Sequence, residues 1–249
     1  MVKIALKITY DGARFCGWQK QPDKRTVQEE IEFAIFSVTS KKVTLYASGR
    51  TDAGVHALGQ IGHFELDDES AQKIKIHSLA ASINAFLDPD VRVLSAWIAD
   101  PDFDSRFTAK KKTYIYKFYV SRFEHPLKIG RELRVNDKID VGAMARAVSA
   151  VEGTHDFTSF VARKSGKTDF VRTILSAKIN QKSDFEYEFE ITGTGFLYNM
   201  VRIIMGTLIE VGMHRIKEAD VAKIIEAKNR ALSGKTMPPY ALYLKEVTY

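Results

Sequence analysis

Residues 49–56 read Gly49-Arg50-Thr51-Asp52-Ala53-Gly54-Val55-His56, and the reading of the whole chain turns on them. A carboxylate and a guanidinium stand two residues apart between two glycines. The preceding stretch, Val43-Thr44-Leu45-Tyr46-Ala47, is β-branched and aromatic, so a strand over 43–48 is predicted to run straight into the octapeptide. Gly49 and Gly54 permit sharp turns and let another molecule approach the backbone closely. The expected result is an aspartate on a tight loop with an arginine beside it. Read alone, Thr-Asp-Ala-Gly also fits a surface turn in which Asp52 hydrogen-bonds its own backbone.

Outward from this loop, residues 3–10 alternate as a strand. Thr26-Val27-Gln28-Glu29 has the capping-box pattern, with Thr26 as cap and Glu29 reaching back. Val27, Ile31, Ala34, Ile35 and Val38 then share one helical face. A strand is predicted at 60–66, a helix over 71–86 that stops before Pro89, and strands near 91–98 and 112–120. In the second half Asp140 is placed to cap a helix whose Met144, Ala147, Val148 and Val151 share a face, and Gly153 ends it. Residues 173–180 read as a strand. Over 185–191, Phe185, Tyr187, Phe189 and Ile191 alternate with Glu186, Glu188 and Glu190, the pattern of a half-buried strand. An apolar helix at about 196–211, a polar one at about 217–227 and a strand at 241–248 complete the chain. Such alternation predicts an α+β fold with a mostly antiparallel sheet. Two similar halves, 1–108 and 109–249, are expected. No Pro/Gly/Ser linker divides them, so they are expected to share a continuous sheet.

The chain has 249 residues, enough for an ample core, and 45% of them are apolar, an ordinary share for a globular protein. No run of about 18 apolar residues occurs, so no membrane span is predicted. The N-terminus lacks the pattern of a secretory signal. The single Cys16 cannot form an internal disulfide, which fits a reducing, cytoplasmic setting. A formal charge of +6 favours an anionic partner without identifying it. Lys110-Lys111-Lys112 precede an aromatic strand. Arg163, Lys164, Lys167 and Arg172 fall in one stretch, and Arg14, Lys20, Lys24 and Arg25 surround Trp18. Basic residues interleaved with aromatics suit phosphate contact and base stacking; solvated surface charge is the alternative for any one lysine. None of the six histidines has metal-ligand spacing, and one cysteine cannot build a zinc site, so no metal is expected. No glycine-rich nucleotide-binding motif and no Gly-x-Ser-x-Gly elbow occurs, so no nucleotide cofactor is expected. His56 and His63 are expected to be structural.

The octapeptide, with Gly59-Gln60 and His63-Phe64 after it, resembles the signature of the TruA family of tRNA pseudouridine synthases. Other segments match that family in order: Tyr10-Asp11-Gly12, Gly17-Trp18-Gln19, Val27-Gln28-Glu29, Phe103-Asp104-Ser105-Arg106-Phe107 and Lys112-Thr113-Tyr114-Ile115-Tyr116. Gly153-Thr154-His155-Asp156-Phe157, Phe196-Leu197, Met200-Val201-Arg202, Gly206 and Pro238-Pro239 follow. Departures are mild: Cys16 sits where an aromatic is common and Ala241 where a glycine is common. The resemblance implies a pseudouridine synthase fold with its cleft between the halves, a homodimer, and action without cofactor on the anticodon stem–loop of tRNA at positions 38, 39 and 40.

It also implies roles. Asp52 matches the family's essential aspartate and Arg50 would order it and help position a flipped nucleotide. Tyr114 matches the tyrosine that stacks on the base and is a candidate for removing the C5 proton; Tyr116, on the same strand face, is its confusable neighbour. Arg106, Arg14, Lys20, Lys110, Lys111, Lys112, Arg163 and Lys164 are candidate RNA contacts. Arg202 carries an argument of its own, because a helix that is apolar nearly all round is buried and an arginine within it is costly unless paired. The family points to Asp52 as its partner; Glu210, two turns on, is the structural alternative.

The chemistry of these residue types agrees. An aspartate with an ordinary pKa near 3.9 is an anion at neutral pH. A carboxylate can attack a sugar's anomeric carbon or stabilise an oxocarbenium-like state, as in glycosidases. An isomerase would hold the detached uracil and rejoin it through C5. Addition of Asp52 to C1′ and an elimination route both remain open. A non-catalytic RNA-binding protein and a hydrolase that releases uracil are the rival readings.

Overall fold

The computed structural model describes residues 1–162 and 169–249, so the expectations for Arg163, Lys164 and Lys167 lie outside the described residues. The chain forms two compact units, Met1–Lys110 with Tyr243–Tyr249, and Lys111–Leu242. The expected partition at 108/109 therefore differs at the C-terminus, where the final strand returns to the first unit. Sequence order does not reveal that return, which is a long-range strand pairing.

The first unit is built on β1 (Val2–Tyr10), β2 (Tyr46–Ala47), β3 (His56–Leu66) and β4 (Val91–Ile98). β1 pairs antiparallel with β3, from Val2 opposite Leu66 to Tyr10 opposite Ala57, and on its other side with β4. β3 is the most enclosed strand; only Leu58 and Glu65 are exposed along it. It begins at His56, inside the octapeptide, rather than at residue 60. β2 is shorter than the strand expected over 43–48 and pairs antiparallel with β3 at His63 and Gly62.

α1 (Val27–Thr39) buries Val27, Ile31, Ala34 and Ile35, as its periodicity predicts, and ends on Ser40 in the left-handed region at φ 55°. The capping box does not form. Thr26 is fully buried, its hydroxyl has no partner, and it caps nothing with its side chain. The helix expected over 71–86 is two: α2 (Asp68–Gln72), capped by the Asp67 carboxylate on Ser70 N, and α3 (Ile76–Asn84), which packs on α1 and β4.

The second unit contains β5 (Lys111–Val120), β6 (Leu133–Val135), α4 (Val141–Ala147), β7 (Gly153–Asp156), β8 (Val171–Gln181), β9 (Glu186–Gly193), α5 (Met200–Gly212) and α6 (Asp220–Glu226). β7, β8, β9 and β5 pair antiparallel in that spatial order, and β6 adds parallel to the end of β5. Asp140 caps α4, its Oδ1 accepting from Ala143 N at 2.8 Å. α5 starts at residue 200 rather than 196, after Asn199 at φ 61°, and is buried along nearly its whole length. β10 (Leu242–Thr248) follows; its Tyr243 and Leu244 pair parallel with His56 and Ala57 in the first unit. Both units are thus mixed α+β with mostly antiparallel sheet and flanking helices. No helix among the described residues is long and apolar enough to cross a membrane.

Candidate active site

The loop from Ser48 to Val55 joins β2 to β3, and its backbone is held at Ser48, Gly49, Thr51, Asp52 and Val55. Ser48 N donates to Ile61 O at 2.8 Å and Ser48 Oγ to Gln60 Oε1 at 2.6 Å, while Gln60 Nε2 donates to Gly49 O at 2.8 Å. Thr51, buried, shares a 2.8 Å hydrogen bond with the Tyr10 hydroxyl, and its carbonyl accepts from Trp18 N at 3.1 Å. Burial pushes the Tyr10 phenol up to about 12, so it stays neutral and serves as a strut. Val55 N donates to Asp52 O at 3.1 Å, closing a turn with Gly54 at φ 79°. Positive φ at the third position of such a turn calls for glycine.

Two glycines from the N-terminal motifs form the floor. A Cβ on Gly12 would stand 2.1 Å from Val55 O, and one on Gly17, itself at φ 91°, would stand 2.8 Å from Thr51 O. Tyr10-Asp11-Gly12 and Gly17-Trp18-Gln19 are therefore parts of the acid loop's support, which explains two sequence motifs that had no chemical role of their own. His56, 2% exposed, accepts from Gly12 N at 3.0 Å and stacks on Tyr243 with ring centroids 4.5 Å apart. His63 is likewise structural: Ser105 N donates to its Nδ1 at 3.1 Å, and burial lowers its pKa.

Asp52 is half-buried on this fixed backbone. Arg50 is exposed and forms no ion pair among the described residues. Both side chains ride on the same loop, whose backbone is anchored at Gly49, Thr51, Asp52 and Val55.

In the second unit, Tyr114 and Tyr116 are both buried, Tyr114 at the edge of that class with 9% exposure, and they differ in the partners their rings and hydroxyls meet. Tyr116 is fully buried and donates its hydroxyl to Pro238 O at 2.8 Å, and burial raises its pKa. It is a structural anchor. Tyr114 meets the Phe196 ring edge-on, with centroids 5.1 Å apart and planes at 81°. Arg202 lies on α5, half-buried; its Nε donates to Met237 O at 2.7 Å and its Nη1 to Asn199 Oδ1 at 2.6 Å. Met237 N returns a bond to Arg202 O at 3.2 Å. Glu210, the structural alternative for Arg202, is instead engaged by Arg215 at 2.6 Å. Gly206 lets this segment lie against α5, since a Cβ there would stand 1.9 Å from Lys235 O.

The basic candidates divide. Lys110, Lys111 and Arg106 are exposed and Lys112 is half-buried. Arg14 is held by Asp90 at 2.8 Å, and Lys20 lies 3.5 Å from Glu29 and 3.8 Å from Glu32. Arg25 is locked by Asp90, Glu30 and Asp88. Trp18, expected as an aromatic among these cations, is 2% exposed and offers no face to a base. Among the described residues no group of three His, Cys, Asp or Glu side chains is arranged to hold a metal ion.

Two comparisons bear on this arrangement. The family model described as tRNA pseudouridine synthase matches residues 7–108 and 147–249. The chain is 42% identical to tRNA pseudouridine synthase A of Acetivibrio thermocellus over 249 residues, covering 100% of both chains. It is 40% identical to the enzyme of that name from Exiguobacterium sp., covering 100% of this chain and 98% of that one. It is 40% identical to the Bacillus subtilis protein of the same name, covering 100% of this chain and 99% of its relative.

Proposed function

Since this chain belongs to the tRNA pseudouridine synthase family, we propose that it isomerises uridine to pseudouridine in the anticodon stem–loop of tRNA, at positions 38, 39 and 40. The family makes it an isomerase acting on tRNA uridine. The observation that supports Asp52 as its working residue is the acid loop itself: a carboxylate on a backbone clamped by Gly12, Gly17, Tyr10, Trp18 and Gln60. Fixing the reacting group in advance removes reorganisation from the chemical step.

In this reading the N1–C1′ bond of uridine breaks, the uracil turns in place, a C5–C1′ bond forms, and the proton lost from C5 is balanced by one gained at N1. Asp52 acts at the ribose, by adding to C1′ or through elimination. Tyr114 stacks on the base and is the candidate acceptor of the C5 proton, while Tyr116 holds Pro238. Arg202, with its guanidinium fixed by Met237 O and Asn199, serves the same chemistry. Arg50 orders Asp52 and helps position the flipped nucleotide. Lys110, Lys111 and Lys112 supply sequence-independent phosphate contacts. The working form is a cytoplasmic homodimer; full activity of a species that light scattering reports as monomeric would remove the dimer from the proposal.

The test of the proposed position is direct. Unmodified tRNA transcripts carrying uridine at 38, 39 or 40 are incubated with the protein and their pseudouridines mapped by chemical modification and primer extension. Pseudouridine at those positions supports the reading; pseudouridine only elsewhere refutes it.

A further inference from the structure

The Phe103–Phe107 motif has no part in the chemistry above, yet the fold holds it rigidly and turns its last ring outward. Phe107 is 78% exposed, among the most exposed large apolar side chains described. The Arg106 guanidinium lies over the ring, 5.2 Å from its centroid, and forms no ion pair among the described residues.

The backbone beneath is fixed. Asp104 Oδ1 accepts from Arg106 N at 2.7 Å and Phe107 N at 2.8 Å, and Thr108 Oγ1 donates to Asp104 O at 2.6 Å. Ser105 is fully buried. Its hydroxyl donates to Tyr46 O at 2.7 Å and its carbonyl accepts from the Tyr249 hydroxyl at 2.6 Å. A single exposed apolar residue is ordinary. Here the ring stands 78% exposed on a fixed backbone with a guanidinium over it, which leaves aromatic surface open to a base.

The motif is also tied to the acid loop. Tyr46, which receives the Ser105 hydroxyl, stands six residues before Asp52 in the same unit. Extended chain covers at most about 3.6 Å per residue, so Phe107 lies within roughly 35 Å of Asp52.

We infer that Phe107, backed by Arg106, is a stacking platform for an unpaired nucleobase of the RNA substrate near the target uridine. Every base presents a π-face, so the contact gives affinity without demanding sequence. Arg106 adds a cation–π contact and a charge for the phosphate of the stacked nucleotide. The inference rests on the tRNA reading above.

Equilibrium binding of tRNA to Phe107→Ala, Phe107→Trp and Arg106→Ala tests it across a range of salt. Phe107→Ala weakens binding about 5- to 100-fold, with the slope of log affinity against log salt unchanged. Phe107→Trp keeps or tightens binding and shows indole quenching beyond that of Trp18 and Trp97 in wild type. Arg106→Ala weakens binding and flattens the slope by about one. If wild type binds and isomerises tRNA while Phe107→Ala binds as well as wild type, this inference alone falls. It also falls if Phe107→Ala splits an oligomer, by light scattering, and leaves affinity per folded chain unchanged, for the ring is then a subunit contact. If wild type neither binds nor modifies tRNA, the tRNA reading fails and takes the platform with it.

Discussion

Gly17→Ala is the substitution whose consequence the geometry fixes best. The new methyl would stand 2.8 Å from Thr51 O, about 0.6 Å inside the 3.4 Å at which ordinary van der Waals contact begins. The obstructing atom is backbone, so no side chain can swing aside. The residue also sits at φ 91°, where an L side chain is strained by about 1–3 kcal/mol. Overpacking adds about 1–3 kcal/mol, for a total loss of about 2–6 kcal/mol from a stability of roughly 5–15 kcal/mol. Relief comes from pushing the Thr51–Asp52 backbone outward and stretching the 3.1 Å bond from Trp18 N. A misplacement of about 1 Å costs on the order of a hundredfold in rate, so a shift approaching that size should lower kcat about 10- to 100-fold. Affinity for tRNA should hold, because phosphate contacts supply it. Single-turnover release of tritium from tRNA labelled at uracil C5 measures the chemical step, with filter binding and thermal melts alongside. A variant that melts lower yet keeps kcat within twofold of wild type would refute the idea that Gly17 sets the position of Asp52.

Tyr114→Phe should lose roughly a hundredfold or more if Tyr114 accepts the C5 proton, but only modestly if it merely stacks, and it should still process 5-fluorouridine tRNA. Tyr116→Phe should instead melt lower by about 1–3 kcal/mol, since Pro238 O loses its buried donor, with turnover per folded molecule retained; a crippled Tyr116→Phe would reverse the two assignments. Arg202→Met should impair catalysis while the buried helix accepts the methionine, and melts run beside activity would show stability lost and turnover kept if the arginine were only structural. Replacing Lys110, Lys111 and Lys112 with Ala should flatten the salt dependence of tRNA affinity, and an unchanged slope would show that they do not touch the RNA backbone.

Local pattern carried most of the element assignments, because apolar periodicity survives folding. Val27, Ile31, Ala34 and Ile35 are buried as their spacing requires, with Val38 half-buried at the end of that face, and β9 alternates from Glu188 to Ile191, whereas Phe185 is exposed and Tyr187 half-buried. What local pattern missed was set by distant chain. Gly12 and Gly17 look like ordinary turn glycines until the acid loop is laid against them. Trp18 sits among cations in sequence but faces Tyr10 in the core, with ring centroids 6.1 Å apart. Thr26 has the residues of a capping box, yet tertiary burial takes its hydroxyl out of play. Tyr114 and Tyr116 are equivalent by alternation and differ in partners far along the chain, Phe196 for Tyr114 and Pro238 for Tyr116. The paired glycines flanking Trp18 and Asp11 were the available signal: glycine beside a motif aromatic marks a place where another backbone comes close.

The central claim is that Asp52 performs the chemistry of a tRNA uridine isomerase on a loop the rest of the first unit exists to hold. Pure wild-type protein and Asp52→Asn, without added metal or nucleotide, are incubated with bulk tRNA tritiated at uracil C5, and tRNA binding is measured for both. Wild type should release tritium to water and no free uracil, while Asp52→Asn should bind tRNA equally and turn over below about a thousandth of wild type, the typical loss on removing a catalytic group. Turnover by Asp52→Asn above that level, or free uracil in place of tritiated water, would contradict the account.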